Sequence, residues 1–192
     1  NGEVYNFPEL RKELKQLGYS FRGGSDTEVV LKALIEWGKA AVSRFNGMFA
    51  LALWDRSNRR LFLARDRYGI KPLYYSLNGN FLAFGSEQKI FDCISGFKKV
   101  VNKHILLEYF TFQNIFSNGT FYDGVFLLPA GHYASFDFKN KHSLDIEQYW
   151  DFNFSEQEGM DEKECVEELD RLFKQAVNRQ LVSDAEVGCY LS

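Results

Sequence analysis

FNGMFALALWDRSNRRLFLAR, residues 45–65, sets the reading of the fold. Two apolar runs, Met48 to Trp54 and Arg60 to Arg65, flank the polar stretch Asp55 to Arg59. That pattern predicts two strands joined by a turn. Just downstream, Leu73 to Leu77 and Phe81 to Phe84 flank Asn78-Gly79, a strong hairpin signal. A short helix is predicted over Ser86 to Phe91. Upstream the period is helical. Pro8 opens a pattern with Leu10, Leu14 and Leu17 on one face, and Gly18 stands where it would stop. Ser25 with Glu28 three residues on fits a capping box, followed by Val29, Val30, Ala33, Leu34 and Trp37 and closed by Gly38. Two helices and then several strands give an α+β class with an antiparallel sheet, not alternating βαβ units.

The composition shifts after Ser95-Gly96. Leu106 to Phe112 reads as a helix, and Thr120 to Phe138 as extended segments broken at Pro129-Ala130-Gly131. Asn140 to Ser143 reads as a polar turn and Asp151 to Gly159 as a linker. A long helix is predicted from about Glu162 to Leu181, capped by Asp161 and Glu164. Its apolar stripe is Cys165, Leu169, Leu172, Phe173, Ala176 and Val177. Val187 to Leu191 reads as the first strand of a buried parallel sheet. The expected organisation is a domain over 1–98, a connector over 99–160 with a helix and a β-hairpin, and the start of a second, α/β domain over 161–192.

Composition removes several classes of function. Lys+Arg is 23 and Asp+Glu 26, a net charge of −3, against the basic excess of a nucleic-acid module. An apolar content of 45%, with 19 Phe, is enough to build a core and excludes general disorder. No apolar run approaches the roughly 18–20 residues that span a bilayer. Three widely spaced cysteines, Cys93, Cys165 and Cys189, fit neither a disulfide framework nor a Cys-rich zinc site, and are expected to be buried thiols of a cytoplasmic protein. His104, His132 and His142 lack metal-ligand spacing.

Four clusters carry polar chemistry. Asn1-Gly2-Glu3 places a side-chain amide beside a glycine N–H, two donors in one place, which suits an oxyanion hole; it equally suits a plain Asn-Gly turn. Asp26, at a predicted helix start, could hold a substrate ammonium or simply complement the helix dipole. Arg65 to Tyr74 packs charges between two strand patterns, as an internal ion network shaping a turn or as a polar path. Val187 to Ser192 is an apolar run ending in Ser, where a nucleotide-phosphate loop would begin.

Taken in order, NGEVYNF, GGSDTEVVLKALIEWG, FNGMFALALWD, LFLARDRYGIKPLYY, LLPAGHY and RQLVSDAEVGCYLS resemble the glutamine-hydrolysing asparagine synthetase family along nearly the whole chain. The resemblance implies an Ntn-hydrolase-type α/β/β/α sandwich lacking its N-terminal strands, followed by the beginning of an ATP-pyrophosphatase domain. It implies hydrolysis of glutamine to glutamate and ammonia at a cysteine nucleophile upstream of Asn1. The ammonia would be channelled to β-aspartyl-AMP, giving asparagine, AMP and pyrophosphate. By resemblance, Asn1 and Gly2 match the oxyanion pair, and Asn1, Gly2, Glu3 and Asp26 match the glutamine contacts. Leu191 and Ser192 match the nucleotide-binding start of the pyrophosphate loop. Arg65 to Lys71 and Ser86-Glu87 resemble segments facing the ammonia channel. The implied cofactors are ATP and Mg2+, and the implied small-molecule partners are glutamine, aspartate and ATP. No nucleic acid or membrane is implied, and a homodimer of the full-length enzyme is an assembly it admits. On this reading the chain is an internal fragment, cut after the nucleophile and before the nucleotide loop, and is expected to be inactive alone. Two further readings share these segments. One is an asparagine-synthetase-like amidotransferase acting on another carboxylate in polysaccharide or antibiotic assembly. The other is a catalytically inactive truncated domain. An amidotransferase feeding a phosphoribosyl or sugar acceptor would share the Asn-Gly motif and SDTE cap but lack LLPAGHY and the final lead-in.

Overall fold

Two antiparallel sheets and two helices account for the core of the computed structural model, which describes residues 1–78, 81–139, 144–155, 159, 161–182 and 186–188. The larger sheet has the order β1-β2-β3-β7-β8, formed by Gly2–Val4, Gly47–Asp55, Arg60–Arg65, His132–Asp137 and Asp145–Gln148. The smaller has the order β5-β4-β6, formed by Phe81–Gly85, Tyr74–Asn78 and Phe126–Leu127.

Strand alternation sends successive side chains of the large sheet to opposite faces, and at its centre both faces are covered. Phe49, Leu51 and Leu53 of β2, with Phe62 and Ala64 of β3, pack with helices α1 (Phe7–Gln16) and α2 (Asp26–Trp37). The alternate residues Ala50, Leu61, Leu63, Ala134 and Phe136 pack against Tyr75, Leu77 and Leu82 of the small sheet. The chain therefore layers helix on sheet on sheet, and each layer boundary holds one apolar cluster. Cover on both faces explains why Leu61 to Ala64 and the start of the β2 run are continuously apolar, whereas Ala52 and Trp54, farther along that run, are exposed.

The strands over 45–65 form as the sequence predicts, with Ala50 opposite Arg65 and Asp55 opposite Arg60. β4 and β5 pair from Tyr74–Gly85 to Asn78–Phe81. Gly79, named in the turn signal, lies outside the described residues, as do Asn140 to Ser143. The helix predicted over Ser86 to Phe91 is a 3-10 helix, Gln88–Cys93. Helix α4 runs Lys103–Phe112, after the four-residue α3 (Ala41–Arg44).

Several expectations change. Leu17 does not share the buried face of Leu10 and Leu14: it caps α1 and is exposed, because Gly18 turns the chain away one residue later. Cys93 and Cys165 are exposed free thiols, not buried ones; both sit on surfaces of short or uncovered helices. α5 (Glu162–Gln180) forms with its full capping box on Asp161 and Glu164. Its stripe is uncovered, however, with Leu169 and Phe173 about two-thirds exposed and no residue of the helix buried. Val187 and Gly188 are exposed irregular chain, and Cys189 to Ser192 lie outside the described residues.

Candidate active site

Strand β1 is the edge of the large sheet, and it carries Asn1-Gly2-Glu3 at or beside its start. Its register on β2 places Gly2 opposite Phe49, Glu3 opposite Met48 and Val4 opposite Gly47. The glycines at positions 2 and 47 are required by closeness. A Cβ on Gly2 would lie 2.0 Å from the Met48 carbonyl oxygen, and one on Gly47 would lie 2.1 Å from that of Glu3. Gly2 also has φ +128°, which L side chains rarely adopt. The plain-turn alternative is thereby removed: Asn1-Gly2 enters a strand.

Hydrogen bonding along β1 alternates between its two edges. Asn1 exchanges both main-chain bonds with Ala50, N to O at 3.1 Å and O from N at 2.8 Å. Gly2 and Val4 therefore present their N–H groups to the opposite edge. There Val4 N–H donates to Asp26 Oδ2 at 3.1 Å. Asp26 is the first residue of α2, and its other oxygen accepts from the hydroxyls of Ser25 and Thr27 at 3.4 and 3.3 Å. One carboxylate thus joins the helix N-terminus to the strand, where the helix dipole favours negative charge.

The cap differs from its sequence signature. Ser25 Oγ accepts the N–H of Thr27 at 3.1 Å. Glu28, expected to close a capping box, reaches the preceding loop, where its carboxylate accepts the N–H groups of Arg22 and Gly23. Those amides hold its pKa down at about 2, helped by Lys32. Arg11 fastens the same loop, donating to Gly23 O at 2.7 Å and Ser25 O at 3.0 Å. Its guanidinium also lies over the Phe21 ring. No short motif signals this contribution of Arg11, which comes from the neighbouring helix.

Two hollows adjoin β1. One of about 460 Å³ is lined by Glu3, Tyr5, Phe7, Gly24, Ser25 and Asp26, with Val4 and Val182. A smaller one of about 100 Å³ includes Asn1, Gly2, Glu3 and Asp26 in its wall. Asn1, Gly2, Glu3 and Asp26, separated by up to 25 residues, are therefore brought together. Asn1 Nδ2 donates to Ser86 Oγ at 3.1 Å, bringing in a residue 85 positions away that follows β5. Neither Cys93 nor Cys165 lines either hollow.

Arg65 and Asp66 are buried, and the hydrogen bonds of both side chains go to main-chain groups. Arg65 donates to the carbonyls of Lys71, Leu128 and Gly69. Asp66 accepts from four main-chain N–H groups. The expected ion network is instead a pair of backbone caps, because a buried charge is best satisfied by several fixed dipoles. Leu191 and Ser192 lie outside the described residues. Among the described residues, no group of three or more His, Cys, Asp or Glu is placed to hold a metal ion. Within the same residues no helix is long and apolar enough to cross a membrane.

Residues 1–150, covering both sheets and the Asn1–Asp26 site, match the glutamine amidotransferase domain family. The chain belongs to that family. The chain is 39% identical to asparagine synthetase [glutamine-hydrolyzing] 3 of Bacillus subtilis, over all of its length and 31% of the relative. It is 33% identical to putative asparagine synthetase [glutamine-hydrolyzing] 2 of Methanocaldococcus jannaschii, over all of this chain and 37% of the relative. The chain thus spans about a third of the length of the curated relatives it matches. The solved glutamine phosphoribosylpyrophosphate amidotransferase of Bacillus subtilis superimposes on 78% of this chain with a TM-score of 0.53. That likeness, at 19% identity over 28% of the solved chain, bears on the fold alone.

Proposed function

We propose that the amidotransferase domain hydrolyses the side-chain amide of glutamine, releasing glutamate and ammonia. The observation that carries this reading is the shared edge of β1. Gly2 N–H faces the same edge as Val4 N–H, where Asp26 sits, two strand residues or about 7 Å further on. An extended glutamine fits that spacing, with its amide at Gly2 and its α-ammonium at Asp26. Glu3 adds a second carboxylate to the same hollow.

The chemistry assigned to each group follows. Gly2 N–H and Asn1 Nδ2 would stabilise the oxyanion formed when the amide carbon is attacked. An amide nitrogen has two protons, so Asn1 can donate to Ser86 Oγ and to the oxyanion together. Asp26 would hold the α-ammonium while its bond to Val4 keeps it in register with Gly2. The nucleophile is assigned to a cysteine outside this chain, as the family resemblance implies.

In the longer protein, ammonia would go to an ATP-activated aspartate β-carboxylate to form asparagine. The likeness to proteins named asparagine synthetase supports this acceptor. ATP and Mg2+ are the cofactors the reading requires. The decisive experiment is an assay of the full-length protein for glutamate from glutamine, and for asparagine when aspartate and Mg-ATP are added. Absence of glutamate formation would overturn the reading. Glutamate without asparagine would overturn only the acceptor.

A further inference from the structure

We propose that Asp66 is a positioning residue for the oxyanion strand, a role that rests on the glutaminase reading above. Its side chain is fully buried. Oδ1 accepts the N–H groups of Tyr68 and Ile70 at 3.1 and 3.0 Å, and Oδ2 those of Lys71 and Phe49 at 3.0 and 3.3 Å. Three of these donors belong to the loop that follows β3, so the carboxylate folds that loop around itself. Phe49 belongs to β2, so the same carboxylate fixes the strand behind Asn1.

The main chain completes the link. Asp66 N–H donates to Phe49 O at 2.8 Å, and Ala50 N–H donates to Asn1 O at 2.8 Å. Phe49 C=O and Ala50 N–H are the two ends of one peptide group, which is planar and stiff. A movement of Asp66 is therefore carried to Asn1 through a single rigid unit. Asn1 is fastened to Ala50 by both of its main-chain groups, so it follows β2.

The loop has further ties that hold the carboxylate in place. Asp66 O accepts from Gly69 and Gly131 at 3.1 and 2.9 Å. Arg65 spans Gly69, Lys71 and Leu128. Gly69 has φ +65°, and a Cβ there would come 2.8 Å from the Arg65 guanidinium. Asp66 lines neither hollow beside β1, and its hydrogen bonds reach the Asn1–Asp26 cleft by way of Phe49 and Ala50.

Asp66→Asn in the full-length protein tests the proposal. The amide keeps the volume but turns an NH2 toward two of the four main-chain donors. Glutamine-dependent kcat should fall about 10- to 100-fold, the effect of a small misplacement of reacting groups, with KM little changed. Turnover with free ammonia should persist. Amide exchange should quicken at Ala50 while Val29 and Leu34 of α2 keep their protection. Unchanged kcat and unchanged Ala50 exchange would overturn the proposal, as would uniform loss of protection across α2 and β2. If the wild-type protein forms no glutamate, the glutaminase reading fails separately, and Ala50 exchange alone decides the coupling. If Asp66→Asn does not fold, Gly69→Ala is the milder variant: it displaces Arg65 and should shift kcat and Ala50 exchange in the same directions. No shift in either would overturn the proposal.

Discussion

Asp26 Oδ2 accepts the main-chain N–H of Val4 at 3.1 Å, so the carboxylate that opens α2 is fastened to the strand carrying Asn1, Gly2 and Glu3. The bond gives Asp26 two duties, holding β1 and facing the hollow. Substitutions must separate them. In the full-length protein, Asp26→Asn keeps an oxygen for Val4 but loses the charge. It should raise KM for glutamine sharply, lower kcat little and leave ammonia-dependent turnover intact. Asp26→Ala should do the same and also lower thermal stability, by about 1 kcal/mol for the lost hydrogen bond. Steady-state kinetics with each nitrogen donor, beside thermal melts, decides. Equal loss with both donors would make Asp26 structural.

Asn1 is predicted to act on the rate. Asn1→Ala removes one oxyanion donor and should lower glutaminase kcat by about 10²–10³. Ser86→Ala removes only the hydroxyl that orients the Asn1 amide, and should produce a smaller fall in kcat with KM unchanged. Kinetics of the two single variants and the double variant checks this. If Ser86→Ala acts as strongly in the Asn1→Ala background as alone, the two are not coupled.

Gly2→Ala meets the Met48 carbonyl at 2.0 Å and a φ of +128°. Strain of this kind costs about 1–3 kcal/mol where the backbone can adapt. The expected outcome is a lower denaturation midpoint with an unchanged slope, and loss of glutaminase activity. A variant as stable and active as the wild type would show that β1 can part from β2 freely.

Glu28 gives a pH signature. Its pKa in the folded chain is about 2, held down by the N–H groups of Gly23 and Arg22 and by Lys32, below the ordinary value of 4.5. A depressed carboxylate stabilises the fold above its unfolded pKa, and the contribution is lost as pH falls from about 4.5 toward 2. Glu28→Gln should flatten the stability curve across that window. Chemical denaturation of wild type and variant between pH 5 and 2 provides the comparison, and identical acid limbs would remove Glu28 from the account.

Local patterns were readable in the sequence, and distant partners were not. The strands over 45–65 announce themselves because a sheet covered on both faces at its centre demands two apolar runs with a polar turn between. Ser25 and Asp161 announce helix starts because a side-chain oxygen must meet free N–H groups there. Glu28 misleads because two loop amides outcompete the cap position for its carboxylate. Arg65 and Asp66 read as an ion network, since nothing nearby in the sequence shows that Leu128 and Gly131 supply their partners. The meeting of Asn1 with Ser86 depends on how the two sheets stack. The stripe of α5 is legible as apolar, but whether a stripe is covered depends on residues outside it.

Strand β1 is three residues long and takes its sheet pairing from β2. Beyond that pairing it is held by the Asp26 carboxylate, the Asn1–Ser86 bond and the buried Val4 side chain, a short set of ties for an edge strand. Heating should therefore detach it before the Leu63 core melts, and activity should vanish at a lower temperature than secondary structure. A substrate bridging Gly2 and Asp26 would close that gap by mass action, adding about 2.7 kcal/mol at a hundred times its dissociation constant. Glutamine would then be a structural staple of the edge that recognises it.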